Sequence, residues 1–337
     1  MPNRTESVQV LRFLAAALVA WTHISQVYRP AGIVFSALPV LERAVANIGS
    51  FGVDVFFVIS GFVMAKTAPG KSPAEFMRLR LVRIVPIYWL ATLAMAPFVL
   101  NDGQFTLAKL VSTLTFFPAP NGPLLQVGWT LCFEMLFYVV VALTLFRPRV
   151  LVPAALFAFA ACSLARQAWG GGFSFFGNPL ILEFLAGAAI YRLGARSRSL
   201  GLLAGAAALG IVSVLAVSDI VPINLLRSLI SGDVGVQRVM LMGTPAALLV
   251  FAAVQFRIPR SPLSDLGDAS YSLYLFHPPI LAAALLLAPP GGLGPYLPLV
   301  FAVSVAVSLA AYRWLERPMM AFARPRPPRP AIVLAAE

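Results

Sequence analysis

The sequence predicts an all-α membrane protein: a polytopic bundle of about ten transmembrane helices with both ends of the chain in the cytoplasm. Three observations carry this expectation. The first is composition. Of 337 residues, 60% are hydrophobic and only 11% charged, and the mean hydropathy is +0.86, far above a soluble domain. The second is that apolar runs long enough to cross a bilayer recur along the chain, and few segments between them could fold alone. The third is the placement of positive charge. With the N-terminus inside, 18 of the 25 Lys and Arg fall in inside segments, six fall outside, and Arg12 lies within a span. That bias follows the positive-inside rule. It also accounts for the net charge of +12 without a nucleic-acid partner.

Taken in order, the expected spans are 7–28, 49–67, 84–100, 126–146, 150–168, 178–194, 199–217, 238–256, 268–288 and 296–315. The first is long enough to span and lacks a small-residue cleavage site, so no cleavable signal is expected. The stretch 104–117 is too short to span and closes on the Pro/Gly-rich turn PAPNGP, which predicts an interfacial or re-entrant helix. Residues 1–320 read as one membrane domain. Residues 321–337 read as a Pro/Arg-rich cytoplasmic tail near anionic lipid. Cys132 and Cys162 sit within apolar runs and read as packing residues without a disulfide. There is no Cys/His metal spacing, phosphate loop or dinucleotide fingerprint, so neither a metal nor a permanently bound cofactor is expected.

Polar residues inside the spans point to chemistry. Arg12 and His23 are eleven residues apart, which sets them on one helix face roughly 16 Å apart. Ionisable residues facing lipid are costly, so they usually face an interior site. In the orientation above, Asp54 and Glu134 on inward-running spans, and His277 on an outward-running one, reach outer to middle depth. They read as converging with His23 on a hydrated cavity. Arg80 and Arg83, three apart near the cytoplasmic side, share a face if that segment is helical, and guanidinium forks suit phosphate oxygens. Together these suggest a donor with a phosphate-rich handle held inside and a reactive end directed into the membrane. Blander readings of the same residues are a snorkelling Arg, a hydrogen-bonded core His and an ordinary positive cluster flanking a span. A secondary transporter or flippase with an intramembrane relay is a second function class, although no repeated half and no paired broken helices are evident. A non-catalytic membrane scaffold is a third.

At these residues the sequence resembles the acyltransferase 3 family of integral membrane acyltransferases, over residues of about 4 to 318. Arg12 and His23 match the family's Arg-x10-His pair, FGVDVFFVISGF (51–62) its second-span signature, and Arg80-Leu-Val-Arg83 its Arg-x-x-Arg motif. WTLCFEMLFY (129–138), SYSLYLFHPP (270–279) and WLERP (314–318) resemble three further family segments, in family order. Glu134 is followed by Met135 where many members have a second acid. Many members also carry an extracytoplasmic hydrolase-like domain; here about twenty residues follow the last span, so the membrane module alone is expected.

The resemblance implies an O-acyltransferase that moves an acyl group, often acetyl from acetyl-CoA, to a hydroxyl of a carbohydrate or other acceptor. It places the chain in a bacterial inner (cytoplasmic) membrane. The roles that follow are His23 as general base, with a covalent acyl-His as the competing route, and Asp54 as the group orienting or charge-stabilising its imidazole. Arg12, Arg80 and Arg83 would hold the CoA phosphates. Glu134 and His277 would line the site, with Tyr271 and Trp129 beside the acceptor. For His277 a purely structural role is equally open, because Pro278 and Pro279 must distort its helix.

Overall fold

The computed structural model describes residues 5–26, 39–119, 121–194, 199–220, 230–233, 235–288 and 296–323, with backbone alone at 39–46, 217–220 and 323. The expected tail lies, from residue 324, outside the described residues. Every regular element described is helical. The helices are α1 (Glu6–Gln26), α2 (Pro39–Thr67), α3 (Pro73–Asn101), α4 (Leu107–Thr115), α5 (Trp129–Thr144), α6 (Pro148–Trp169), α7 (Gly172–Phe176), α8 (Ile181–Leu193) and α9 (Leu200–Ile220). They continue as α10 (Gly235–Arg238), α11 (Thr244–Val254), α12 (Pro262–Asp268), α13 (Ser270–Leu286), α14 (Leu297–Ala311) and α15 (Arg317–Ala323). Among the described residues, eight helical stretches are long and apolar enough to cross a membrane. The pair α12–α13, bent by 70°, makes a ninth, and α9 supplies a shorter apolar helix. The chain is therefore an all-α polytopic bundle.

Local chemistry sets the boundaries. Ser72 caps α3 by accepting from the Glu75 N–H, with Pro73 at the first helical position. Thr106 caps α4 in the same way, and Phe116 ends it in the left-handed region at φ 58°. The amphipathic α4 is the short helix expected within 104–117. One expectation needs correction: the third span begins at Pro73, not near residue 84, so Arg80 and Arg83 are part of a membrane helix rather than its flank.

The helices at the centre are α1, α2 and α8. Glycine lets them approach: a Cβ on Gly61 would overlap the Phe184 carbonyl of α8, and one on Gly187 would overlap the Val58 carbonyl of α2. The close packing of α2 on α8 is thus reciprocal. Gly52 meets the Ala15 carbonyl of α1, where a Cβ would lie 2.7 Å away. Thr22 Oγ1 accepts from the Gly49 N–H at 3.0 Å, and Lys66 donates to Thr5 Oγ1 at 2.9 Å. Those two pairs fix an antiparallel register, in which each step up α1 is matched by one step back along α2.

Candidate active site

That register decides which polar groups can meet. His23 lies level with Ile48. Asp54 lies level with Ala17, six residues and roughly 9 Å further toward the Arg12 end. Ser60 lies beside the level of Arg12. The structure accordingly sorts the expected site residues into three groups rather than one.

The first group lines a cavity with about 740 Å³ of empty space, part of it open to the outside. Arg12, Arg80, Arg83, Ser60, Glu134, Tyr138, Tyr271 and Tyr274 supply its polar lining, and Val53, Phe56, Phe57 and Ile59 are among its apolar residues. Arg80 is buried between the rings of Phe76 and Tyr138, 5.3 and 5.7 Å from their centroids, and donates to Thr67 Oγ1. Arg12 donates to Gln9 Oε1 at 3.2 Å. Arg83 hydrogen-bonds to none of the described residues, and the buried Glu316 acts electrostatically on both Arg83 and Arg12. Three guanidiniums with donors to spare thus face one space, a setting for an anion. Glu134 accepts from Ser60 Oγ at 2.9 Å and from the Tyr138 hydroxyl, so it stands at the arginine end rather than at the depth of His23. Tyr271 lines the cavity and donates to the Ile84 carbonyl at 2.8 Å.

The second group is a histidine pair. His23 Nδ1 lies 2.8 Å from His277 Nε2, with the ring planes 8° apart. His277 is fully buried, and its Nδ1 lies 3.0 Å from the Leu273 carbonyl. The pair stands beyond the cavity's aromatic end, where Phe56 and Tyr274 meet edge to face at 6.0 Å and Tyr274 approaches His277 at 6.2 Å. Tyr274 is itself held, its hydroxyl donating to the Val127 carbonyl at 2.7 Å and lying 2.9 Å from Thr130 Oγ1.

The third group corrects the reading of Asp54. Instead of orienting His23, Asp54 accepts a fork from Arg238: Nε to Oδ1 and Nη2 to Oδ2, both at 2.9 Å, with both side chains buried. Arg238 also donates to the Ser50 carbonyl at 3.0 Å. The physical reason is the register: Asp54 is too deep along α2 to reach His23. Arg238 is buried at the end of α10, where a π-helical turn (Val239–Gly243) follows. Trp129 is also off the cavity. It packs edge to face on Phe57 and Phe133.

Sequence reasoning gave no site role to Glu183 or Arg238, and took in Glu316 only as part of the segment WLERP (314–318). Glu183 of α8 is 1% exposed and packs against Gly243 beside the Asp54–Arg238 pair. The rule that flagged Asp54, an acid inside an apolar span, would have flagged it too. Glu316 accepts from Ser272 Oγ at 2.8 Å and is buried at the end of a second π-helical turn, Tyr312–Glu316.

A multi-helix membrane protein with an arginine-lined cavity and a hydrogen-bonded histidine pair is the class that fold and site define. Residues 5–313 match the family model described as an acyltransferase domain, and the chain belongs to this acyltransferase 3 family. It is 35% identical over 308 residues to the exopolysaccharide production protein ExoZ of Rhizobium meliloti, covering 83% of this chain and 92% of that protein. It is 30% identical over 349 residues to a putative membrane-bound transacylase, BcsY, of Komagataeibacter xylinus, covering 94% of this chain and 83% of that protein. No solved structure matches.

Proposed function

We propose that this membrane acyltransferase moves an acyl group, acetyl in the simplest case, from acyl-CoA to a hydroxyl of a cell-envelope polysaccharide. The observation that carries the reading is the separation of two chemistries along α1. Arg12 joins Arg80 and Arg83 on the cavity, while His23 joins His277 eleven residues further on, roughly 16 Å away. A phosphate-rich handle with a long arm to a thioester suits that span. The guanidiniums would hold the phosphates, and the cavity's apolar wall would line the arm. The acyl carbon would come to rest at His23 once Phe56 and Tyr274 part. Positive charge on the cytoplasmic side supports donor entry from inside. The polysaccharide acceptor is supported by the exopolysaccharide production protein among the relatives, and group transfer by the transacylase.

The test follows CoA thiol release by the purified protein from acetyl-CoA and longer acyl-CoAs with a panel of polysaccharide acceptors. Release should require acceptor. It should fall roughly 100- to 10,000-fold in folded His23→Ala, the usual worth of a general base. Arg83→Ala should weaken donor binding by roughly 10- to 100-fold, as expected for a lost charge-assisted hydrogen bond. Unchanged release in folded His23→Ala would remove His23 from the chemistry.

A further inference from the structure

His23 and His277 are the only histidines in the chain, and they touch each other. Their contacts determine where the protons sit. A carbonyl oxygen only accepts, so the His277 nitrogen 3.0 Å from the Leu273 carbonyl, Nδ1, carries a hydrogen. The Tyr274 carbonyl stands beside the same ring. It has lost its usual helix donor because Pro278 has no N–H. In a neutral ring a protonated Nδ1 leaves Nε2 with a lone pair. That lone pair faces His23 Nδ1 at 2.8 Å, so His23 Nδ1 must carry the hydrogen between them. The remaining lone pair of the whole array is then on His23 Nε2, to which no described residue hydrogen-bonds. His23 is partly exposed where His277 is fully buried.

We propose that His277 is a positioning residue that locks His23 in its Nδ1–H tautomer and thereby makes Nε2 of His23 the basic atom of the reaction. The proposal rests on the acyltransferase reading above. In the step it serves, His23 Nε2 takes the proton of the acceptor hydroxyl while that oxygen bonds to the thioester carbonyl carbon. The tetrahedral adduct collapses with cleavage of the C–S bond. The departing thiolate recovers the proton from Nε2, giving ester and free CoA thiol. While His23 holds the extra proton, its Nδ1–H still points at the His277 lone pair, so a neutral imidazole fills the place that a carboxylate holds in a triad. Pro278 is part of the device: by leaving the Tyr274 carbonyl without an amide donor, it adds a second acceptor beside the His277 ring N–H that already meets the Leu273 carbonyl.

The chain's two histidines make the test direct. Full-length protein carrying a histidine-free affinity tag is labelled with nitrogen-15 in its histidine rings, purified in detergent and measured by NMR beside His277→Gln and His277→Leu. Free histidine prefers the opposite, Nε2–H form, so two rings with protonated Nδ1 and bare Nε2 are the distinctive expected result. A glutamine amide oxygen can still accept from His23 Nδ1–H. His277→Gln should therefore keep the His23 tautomer and stay within about tenfold of wild-type kcat. His277→Leu should release the tautomer and lower kcat roughly 100- to 10,000-fold, with the donor KM changed by no more than about twofold. A bare Nδ1 on His23 in the wild type, or an unchanged tautomer in folded His277→Leu, would overturn the lock. Near-wild-type kcat in His277→Leu would overturn its importance. Locked tautomers in a protein that transfers no acyl group from any donor would overturn the proposed function and leave the lock standing.

Discussion

Asp54 takes a two-pronged fork from Arg238, which also donates to the Ser50 carbonyl and keeps only its buried Nη1 without a partner among the described residues. A buried pair of this kind is costly to break from one side, because the surviving charge stays buried. Asp54→Asn or Arg238→Met alone should therefore cost roughly 3–5 kcal/mol, and the double variant should recover much of the loss. Thermal unfolding in detergent checks this. Glu183→Gln should be milder, about 1 kcal/mol or less, since it leaves the Arg238 fork intact and offers Asp54 an amide donor. Arg80 makes the opposite case. It is clamped by two rings and Thr67 but still faces the cavity. A lysine there keeps the charge and loses the planar fork, so Arg80→Lys should weaken acyl-CoA binding about tenfold, measured by ligand-dependent thermal shift.

Between elements, the α2–α8 contact is the least forgiving, because backbone meets backbone with no side chain to give way. Gly61→Leu should destabilise by more than the roughly 1–3 kcal/mol of ordinary overpacking. Gly205→Ala on α9, where a Cβ meets nothing within 4 Å, should be neutral or stabilising by up to about 1 kcal/mol. Yield of monodisperse protein separates the two. The same scale shows what the sequence could and could not disclose. Apolar run length disclosed the spans, and eleven-residue spacing put Arg12 and His23 on one face. Depth across helices was less legible. Counting from span ends set Asp54 level with His23, whereas the Thr22–Gly49 and Thr5–Lys66 contacts put it two turns away. The two π-helical turns were invisible to a 3.6-residue period. Each borders a buried charge to which the sequence assigned no site role, Arg238 in one case and Glu316 in the other.

For the molecule as a whole, the positive-inside rule applied to the distribution of Lys and Arg predicts that the arginine end of the cavity faces the cytoplasm. Single cysteines at Gly70 and at Gly103, which bracket α3 in open turns, should report this in a background lacking Cys132 and Cys162. An impermeant thiol reagent added outside intact cells should label position 103 and spare position 70. The reverse pattern would put donor entry on the other face.

The sixth helix carries a consequence for the history of such proteins. None of the 22 residues of α6 is buried, although Ser163 ties it to the Gly177 carbonyl. In a bilayer its surface is mostly hydrocarbon contact, which asks only for apolar character and length. Mutation there is nearly unconstrained, so the helix should diverge faster between lineages than any other span. A version with residues 151–161 shuffled among themselves should still complement a strain lacking the wild type.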